Sequence, residues 1–225
     1  QSFVQREDGS WLIDGSVANV ILVTAKTSKG LSLFAVDGSA SGLSKELLPT
    51  MDQTRKQSRL EFNNTPARLI GTDGGAEAGI KKTLQRAATL LAAEQTGGAQ
   101  RCLDSAVAYA KERVQFGRPI GSFQAIKHKA ADMLLEVESA KSAAYYAAYC
   151  AQEDNEDLAI AASLAKSFCS EAYFHCSGES IQIHGGIGFT WEHHAHLYFK
   201  RAKSSELLLG DPTYHREILA NLLGI

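Results

Sequence analysis

The chain has 225 residues, of which 44% are hydrophobic and 21% are charged, a composition typical of a globular protein with a sizeable core. Its net charge of -2 and its lack of a polybasic run argue against nucleic acid or an anionic membrane surface as a partner. No apolar run reaches the length of a membrane span, and the first residues lack the basic-then-apolar pattern of a secretory signal peptide.

The cysteines predict a reducing compartment. None belongs to a CxxC pair, and all lie in Ala-rich sequence with helical character: Cys102, Cys150, Cys169 and Cys176. Buried free thiols are the simplest interpretation. We therefore expect a cytoplasmic protein. The sequence does not begin with Met, which is compatible with a fragment or a processed product.

Residues 1–70 predict β-strands. Val20–Thr24 and Leu31–Val36 are β-rich runs, and the turn signal Ser28-Lys29-Gly30 separates them. A run over Ser58–Phe62 alternates polar and apolar residues. These runs predict a small antiparallel unit that is too short to form a complete barrel by itself.

Residues from about Ala76 onward predict helices, because Ala, Leu, Lys, Glu and Gln dominate and apolar residues recur at helical spacing. Asp211 and Pro212 have the residue types of an N-cap and a first helical position. Long helices with short connections predict an antiparallel bundle. The predicted helices cover Gly79–Gln115, Ser122–Gln152, Leu158–Ile183, His193–Lys200 and Pro212–Leu223.

A helix-to-helix corner over residues 113–126 is the first candidate site. Its sequence, RVQFGRPIGSFQAI, collects two Arg residues, an aromatic side chain and two Gln residues. A cationic corner beside a helix N-terminus suits a phosphate group, and an aromatic side chain can pack on a flat ring. A surface turn with ordinary arginines would explain the same residues.

The second candidate site, over residues 182–190, has the sequence QIHGGIGFT. Its glycines let a backbone approach a ligand closely, although a helix end followed by a turn explains them equally well. No strand precedes the glycines, so the motif is not a Rossmann fingerprint. Nearby histidines show no metal-ligand pattern, and we predict no metal site and solvated or capping roles for them: His184, His193, His194 and His196.

Together, RVQFGRPIGSFQAIKHKAADM and QIHGGIGF resemble the two signature regions of the acyl-CoA dehydrogenase C-terminal domain. The resemblance covers essentially the whole chain. It implies a mainly α protein in which a partial β-domain, residues 1–70, precedes an antiparallel four-helix bundle, residues 71–225. It also implies FAD as cofactor and α,β-dehydrogenation of an acyl-CoA thioester as the reaction. The expected electron acceptor is electron-transfer flavoprotein or a similar protein. The expected assembly is a homo- or hetero-oligomer, either a dimer or a tetramer.

The resemblance further implies that the ADP half of FAD crosses a subunit interface. Arg113 would contact the pyrophosphate, and Gln124 and Gln182 would supply hydrogen-bonding amides. Trp11 matches the Trp of a Trp-x-Thr segment against the isoalloxazine ring, but Ile13 replaces the hydroxyl donor. The matching cofactor residues of the helical region are Arg113, Phe116, Gln124, Gln182, Ile183, His184, Gly185 and Gly186.

The catalytic base of the family is missing at both of its usual positions, Leu209 and Ala87, and Ala88 replaces a substrate-orienting Arg. Nearby carboxylates are Glu94 and Asp211, and the simpler role of Asp211 is a helix N-cap. The resemblance therefore implies a base-lacking subunit that pairs with a different, base-bearing subunit. The alternatives are a flavin oxidase of the nitroalkane-oxidase type that uses Asp211 and a non-catalytic structural paralogue.

Overall fold

The computed structural model describes residues 11–225, with side-chain surroundings from Ile13 onward. The Trp11 side chain, predicted to face the flavin ring, lies outside the described residues. The chain divides between Thr83 and Leu84 into two compact units. The predicted fold class, mainly α with a preceding antiparallel β region, is confirmed.

The first unit contains two three-stranded antiparallel sheets, with strand orders β1-β5-β4 and β2-β3-β6. Ile21, Val36 and Leu60 form its buried core. The predicted turn after Thr27 is present, since Thr27 pairs with Gly30 in register. The strands are β1 Trp11–Ile13, β2 Val20–Thr27, β3 Gly30–Asp37, β4 Leu43–Leu48, β5 Gln57–Phe62 and β6 Arg68–Ile70.

The second unit is a bundle in which α3 packs against α2, α4 and α5. Its core contains many alanines, which allow helices to approach closely, and two apolar clusters run along the bundle. The helices are α1 Glu77–Glu112, α2 Gln124–Gln152, α3 Leu158–His184, α4 Ala195–Leu207 and α5 Pro212–Leu223.

Two helices, α1 and α4, differ from their predicted ranges by more than two residues at one end. Helix α1 ends at Glu112, because the next residues form a hairpin of β7, Val114–Gln115, with β8, Arg118–Pro119. Both residues at the hairpin tip have positive φ, 54° at Phe116 and 77° at Gly117. Helix α4 begins later and ends later than the predicted helix over His193–Lys200. A short segment after its last residue, Leu207, leads into α5.

Candidate functional site

The hairpin after α1 presents an aromatic side chain beside two arginines. Phe116, at the tip, is 92% exposed. The Arg118 guanidinium lies 4.1 Å from the centre of the Phe123 ring, which fixes that arginine at the base of the hairpin. Ile120 N donates to Arg113 O at 2.8 Å and closes the corner. The Arg113 guanidinium is exposed, with no hydrogen bond or ion pair to the described part of the chain, so it is available to an external anion.

A glycine corner ends α3. Gly185 has φ 65°, a left-handed conformation that a side chain disfavours, and it begins a short 3-10 helix, Gly185–Phe189. A Cβ added at Gly185 or Gly186 would meet no atom within 4 Å. The space outside this backbone is therefore open, and a flat ligand group can approach the peptide planes directly.

The two corners lie at the same end of the bundle. The His184 ring packs against Tyr109 of α1 with ring centres 4.5 Å apart, and Arg113 follows one turn later, where its N donates to Tyr109 O at 2.9 Å. Gln124 begins α2 and Gln182 lies in the last turn of α3; both are exposed. The structure thus brings the helical-region cofactor candidates to one end of the second unit.

His184 is buried, so the prediction of solvated histidines is wrong at this position. Its Nδ1 lies 2.7 Å from Ser180 O and acts as the donor, which leaves the Nε2 lone pair 3.5 Å from Ser105 Oγ. The side chain points into the bundle and fixes the end of α3. A contact from His184 to a cofactor is therefore restricted to its backbone.

His193 has the predicted capping role. Its Nδ1 accepts a hydrogen bond from Ala195 N at 3.2 Å, at the start of α4. Burial, followed by the charges of His184, His194 and His196, lowers the pKa of His193 below its usual range. Among the side chains that the structure describes, no group of three or more His, Cys, Asp or Glu is arranged to hold a metal ion.

The residues present at this end fit a ligand that carries both a flat ring and a phosphate group. Three aromatic side chains of the hairpin and of the segment after α3 are largely exposed: Phe116, Phe189 and Trp191. The Lys200 ammonium lies 4.1 Å from the centre of the Trp191 ring and adds positive charge. Exposed rings, cationic groups and an open glycine backbone are the partners that such a ligand needs.

The segment between α4 and α5, residues 208–211, holds no proton acceptor at its centre. Leu209 has φ 62°, and its side chain is aliphatic. Asp211 Oδ1 accepts from Tyr214 N at 2.7 Å, so the predicted N-cap of α5 is confirmed. Residues 208–211 are called the α4–α5 turn below.

Glu94 lies against α4. Its Oε1 is 3.2 Å from Ser205 Oγ and 3.4 Å from Arg201 Nη1. Ser205 precedes Leu209 by about one helical turn. On α1, Ala87 and Ala88 add neither charge nor bulk; Ala88 is buried and Ala87 is partly exposed.

Lys166 is a residue that sequence reasoning missed. It is completely buried, although Lys is among the side chains that are least often fully buried. A signal was present, because Lys166 falls on the helix face that carries Ala162 and Cys169, both of them core residues. A cation on an apolar helical face indicates a specific polar partner.

Residues 75–224 match the family model described as acyl-CoA dehydrogenase, C-terminal domain. This chain belongs to the acyl-CoA dehydrogenase family. A similar relative is acyl-CoA dehydrogenase IpdE2 of Mycobacterium tuberculosis, 40% identical over 215 residues, which are 96% of this chain and 59% of the relative. The chain thus spans little more than half the length of that relative.

Solved structures of the acyl-CoA dehydrogenase family share the fold. Butyryl-CoA dehydrogenase from Megasphaera elsdenii superposes with a TM-score of 0.90 at 25% identity, over 100% of this chain and 63% of that one. A variant of the Tcur3481-Tcur3483 steroid ACAD superposes with a TM-score of 0.83 at 34% identity, over 92% of this chain and 55% of that one. No helix in the described part of this family member is long and apolar enough to cross a membrane.

Proposed function

We propose that this chain is the base-lacking subunit of an FAD-dependent acyl-CoA dehydrogenase-like hetero-oligomer that introduces an α,β double bond into an acyl-CoA thioester. The observation that carries the proposal is the contrast between two parts of one unit. The end with Arg113 and Gly185 offers an exposed cation and an open glycine backbone to a flavin, whereas the α4–α5 turn presents Leu209 where the resemblance places the family's base. Leucine cannot accept a proton.

The exposed groups at this end support a set of cofactor contacts. Arg113 would pair with the pyrophosphate, and the amides of Gln124 and Gln182 would bond to polar atoms nearby. The backbone of Gly185 and Gly186 would lie against the cofactor, since no atom of this chain fills the space outside it. When bound, FAD supplies the two-electron acceptor for the hydrogen removed from the substrate.

The hetero-oligomeric assembly has support from a similar structure. The Tcur3481-Tcur3483 steroid ACAD combines two chain names in one enzyme and names a steroid substrate class. We extend both features to this chain: a second, base-bearing subunit and a bulky polycyclic acyl-CoA substrate. Electron-transfer flavoprotein or a similar protein would reoxidise the flavin.

Two further parts of the proposal concern location and boundaries. A cytoplasmic location is supported by the four cysteines, all of them free and buried. The family's domain boundary near residue 70 would place β6 at the end of the partial β-domain and leave the helices to residues 71–225.

The test is an absorption spectrum after gel filtration with FAD, followed by turnover of an acyl-CoA panel. We expect flavin bands to co-elute with a dimer or larger species, and turnover only after a base-bearing partner is added. Robust turnover by the chain alone would contradict the base-lacking assignment. Glu94→Gln would then show whether Glu94, the carboxylate near Ser205, acts as the base.

A further inference from the structure

Lys166 occupies a site where all of its hydrogen-bonding capacity is used. Its Nζ donates to Ser170 Oγ at 3.0 Å, to Glu206 O at 3.0 Å and to Gly210 O at 2.9 Å. An ammonium group has three donors, and each has one acceptor here. Two of the acceptors are backbone carbonyls, one in the last turn of α4 and one in the α4–α5 turn.

The α4–α5 turn needs this support. Leu209 adopts φ 62° and Gly210 φ 105°, and a leucine in the left-handed region persists only where surrounding contacts impose it. His215 Nε2 lies 3.0 Å from Leu209 O and supplies one such contact. A cation at the end of α4 is also favourable, because unpaired carbonyls give a helix C-terminus negative character.

We propose that Lys166 is a positioning residue that fixes the α4–α5 turn, and with it the direction of the Leu209 side chain, through a buried ammonium on two backbone carbonyls. Gln95 of α1 extends the network, since its Nε2 donates to Ser170 Oγ at 2.9 Å. Three helices are thereby joined at one buried cation. The link from this turn to the reaction rests on the proposed function, whereas the support of the turn does not.

The two functional regions are separated along α3. Lys166 and Gln182 lie about 24 Å apart at the helical rise per residue. A change at Lys166 should therefore alter the substrate side of the enzyme and leave the ADP-side flavin contacts intact. This separation makes a positioning role distinguishable from general misfolding.

The first experiment is Lys166→Met in the assembled flavoenzyme, since methionine keeps the bulk of the side chain and removes all three donors. We expect backbone amides of residues 208–211 to exchange hydrogen at least about tenfold faster, because the last turn of α4 and the α4–α5 turn each lose the donor to a carbonyl group. The dissociation constant of FAD should stay within about twofold. Unchanged hydrogen exchange at residues 208–211 would overturn the positioning role.

Lys141→Met is the matched control. Lys141 lies on α2 and pairs with Glu138 at 2.7 Å, away from the α4–α5 turn. The same substitution there should leave both the hydrogen exchange of residues 208–211 and flavin affinity unchanged. If Lys166→Met does not fold, Lys166→Leu, which also lacks donors, replaces it with the same expectations.

The second experiment needs neither flavin nor turnover. Burial lowers the pKa of Lys166 from 10.5 to about 8, partly offset by Glu206 and Asp211; Cys169 and His215 are the other titratable groups nearby. The folded protein thus releases this proton at lower pH than the unfolded chain, so stability rises as pH increases from about 8 to 10.5.

The folding constant of the wild type relative to Lys166→Met should therefore rise by up to about tenfold per pH unit between about pH 8 and 10. A flat ratio for Lys166→Met would contradict the lowered pKa of Lys166; the role of Lys166 in the turn is decided by the hydrogen-exchange measurement. Loss of flavin and turnover in the wild-type assembly would instead defeat the proposed function, and hydrogen exchange at residues 208–211 would still decide whether Lys166 holds the turn.

Discussion

Gly98 lies in the middle of α1, where a side chain has no room. A Cβ at this position would fall 2.4 Å from Tyr173 Cζ, and Tyr173 is itself buried. The adjacent Gly97 is exposed, and a Cβ there would meet no atom within 4 Å. Tyr173 thus excludes a side chain at position 98, whereas position 97 has space for one.

Gly98→Ala should lower the free energy of unfolding by about 1–3 kcal/mol, because the Tyr173 ring must move within a packed core. Gly97→Ala should raise it by about 0.5–1 kcal/mol, since alanine favours the helix and nothing obstructs it. Urea denaturation of both variants measures the difference. Equal effects would show that Tyr173 does not constrain α1.

At the scale of single residues, the sequence reveals roles that depend on neighbours in the chain. Asp211 is predictable as a cap because the adjacent Pro212 begins the helix. The hydrogen-bond partners of Lys166 are not predictable, because two of them are carbonyl groups about 40 residues further along the chain. Likewise, the burial of His184 depends on Tyr109, a partner on another helix.

The start of α5 provides a test at the scale of an element. Asp211→Ala removes the acceptor for Tyr214 N and should cost about 1 kcal/mol of stability. Asp211→Asn retains a capping oxygen and should unfold like the wild type. Because Asn cannot act as a base, this variant also examines the oxidase alternative: we expect unchanged flavin chemistry. Rapid peroxide production with nitroalkanes that disappears in Asp211→Asn would contradict that expectation.

The helices were more predictable than the strands. Helical periodicity extends over many residues, and α5 has the predicted bounds, Pro212–Leu223. The early end of α1 was missed because the hairpin after it is set by two residues with positive φ, one of them Phe116, a residue type that gives no such signal. The short strands β1 and β6 offer too few residues for alternation to be recognised.

At the scale of the whole molecule, the cofactor residues predict an assembly. If Arg113 and Gln182 contact a flavin held by a neighbouring subunit, a monomer has only part of each site. FAD affinity should then fall on dilution below the subunit dissociation constant. Fluorescence titration at several protein concentrations measures this; a tightly flavin-bound monomer would be incompatible with an interface site.

Arg113→Ala should weaken FAD binding in the assembly by about 2 kcal/mol, the value of a charge-assisted hydrogen bond. Arg101→Ala, at an exposed position within α1, is the matched control and should leave affinity unchanged. The same titration serves both variants. Equal effects would mean that overall charge, rather than the position of Arg113, governs the affinity.

The architecture of the bundle could be predicted from periodicity and the motif pair, because both are local in sequence. The pairing of strands could not. β5 lies between β1 and β4, and this order depends on contacts between distant residues that no local pattern encodes.

Lys166, which contacts the α4–α5 turn, and Gln182, beside the glycine corner, both lie on α3, with no loop between them. The spacing of the two regions is therefore set by the number of residues in one rigid element. Deleting a single residue between them would rotate one end by about 100° relative to the other and shorten the span by about 1.5 Å. Insertions and deletions in this stretch should therefore be excluded, so that the segment keeps a constant length while loops elsewhere vary.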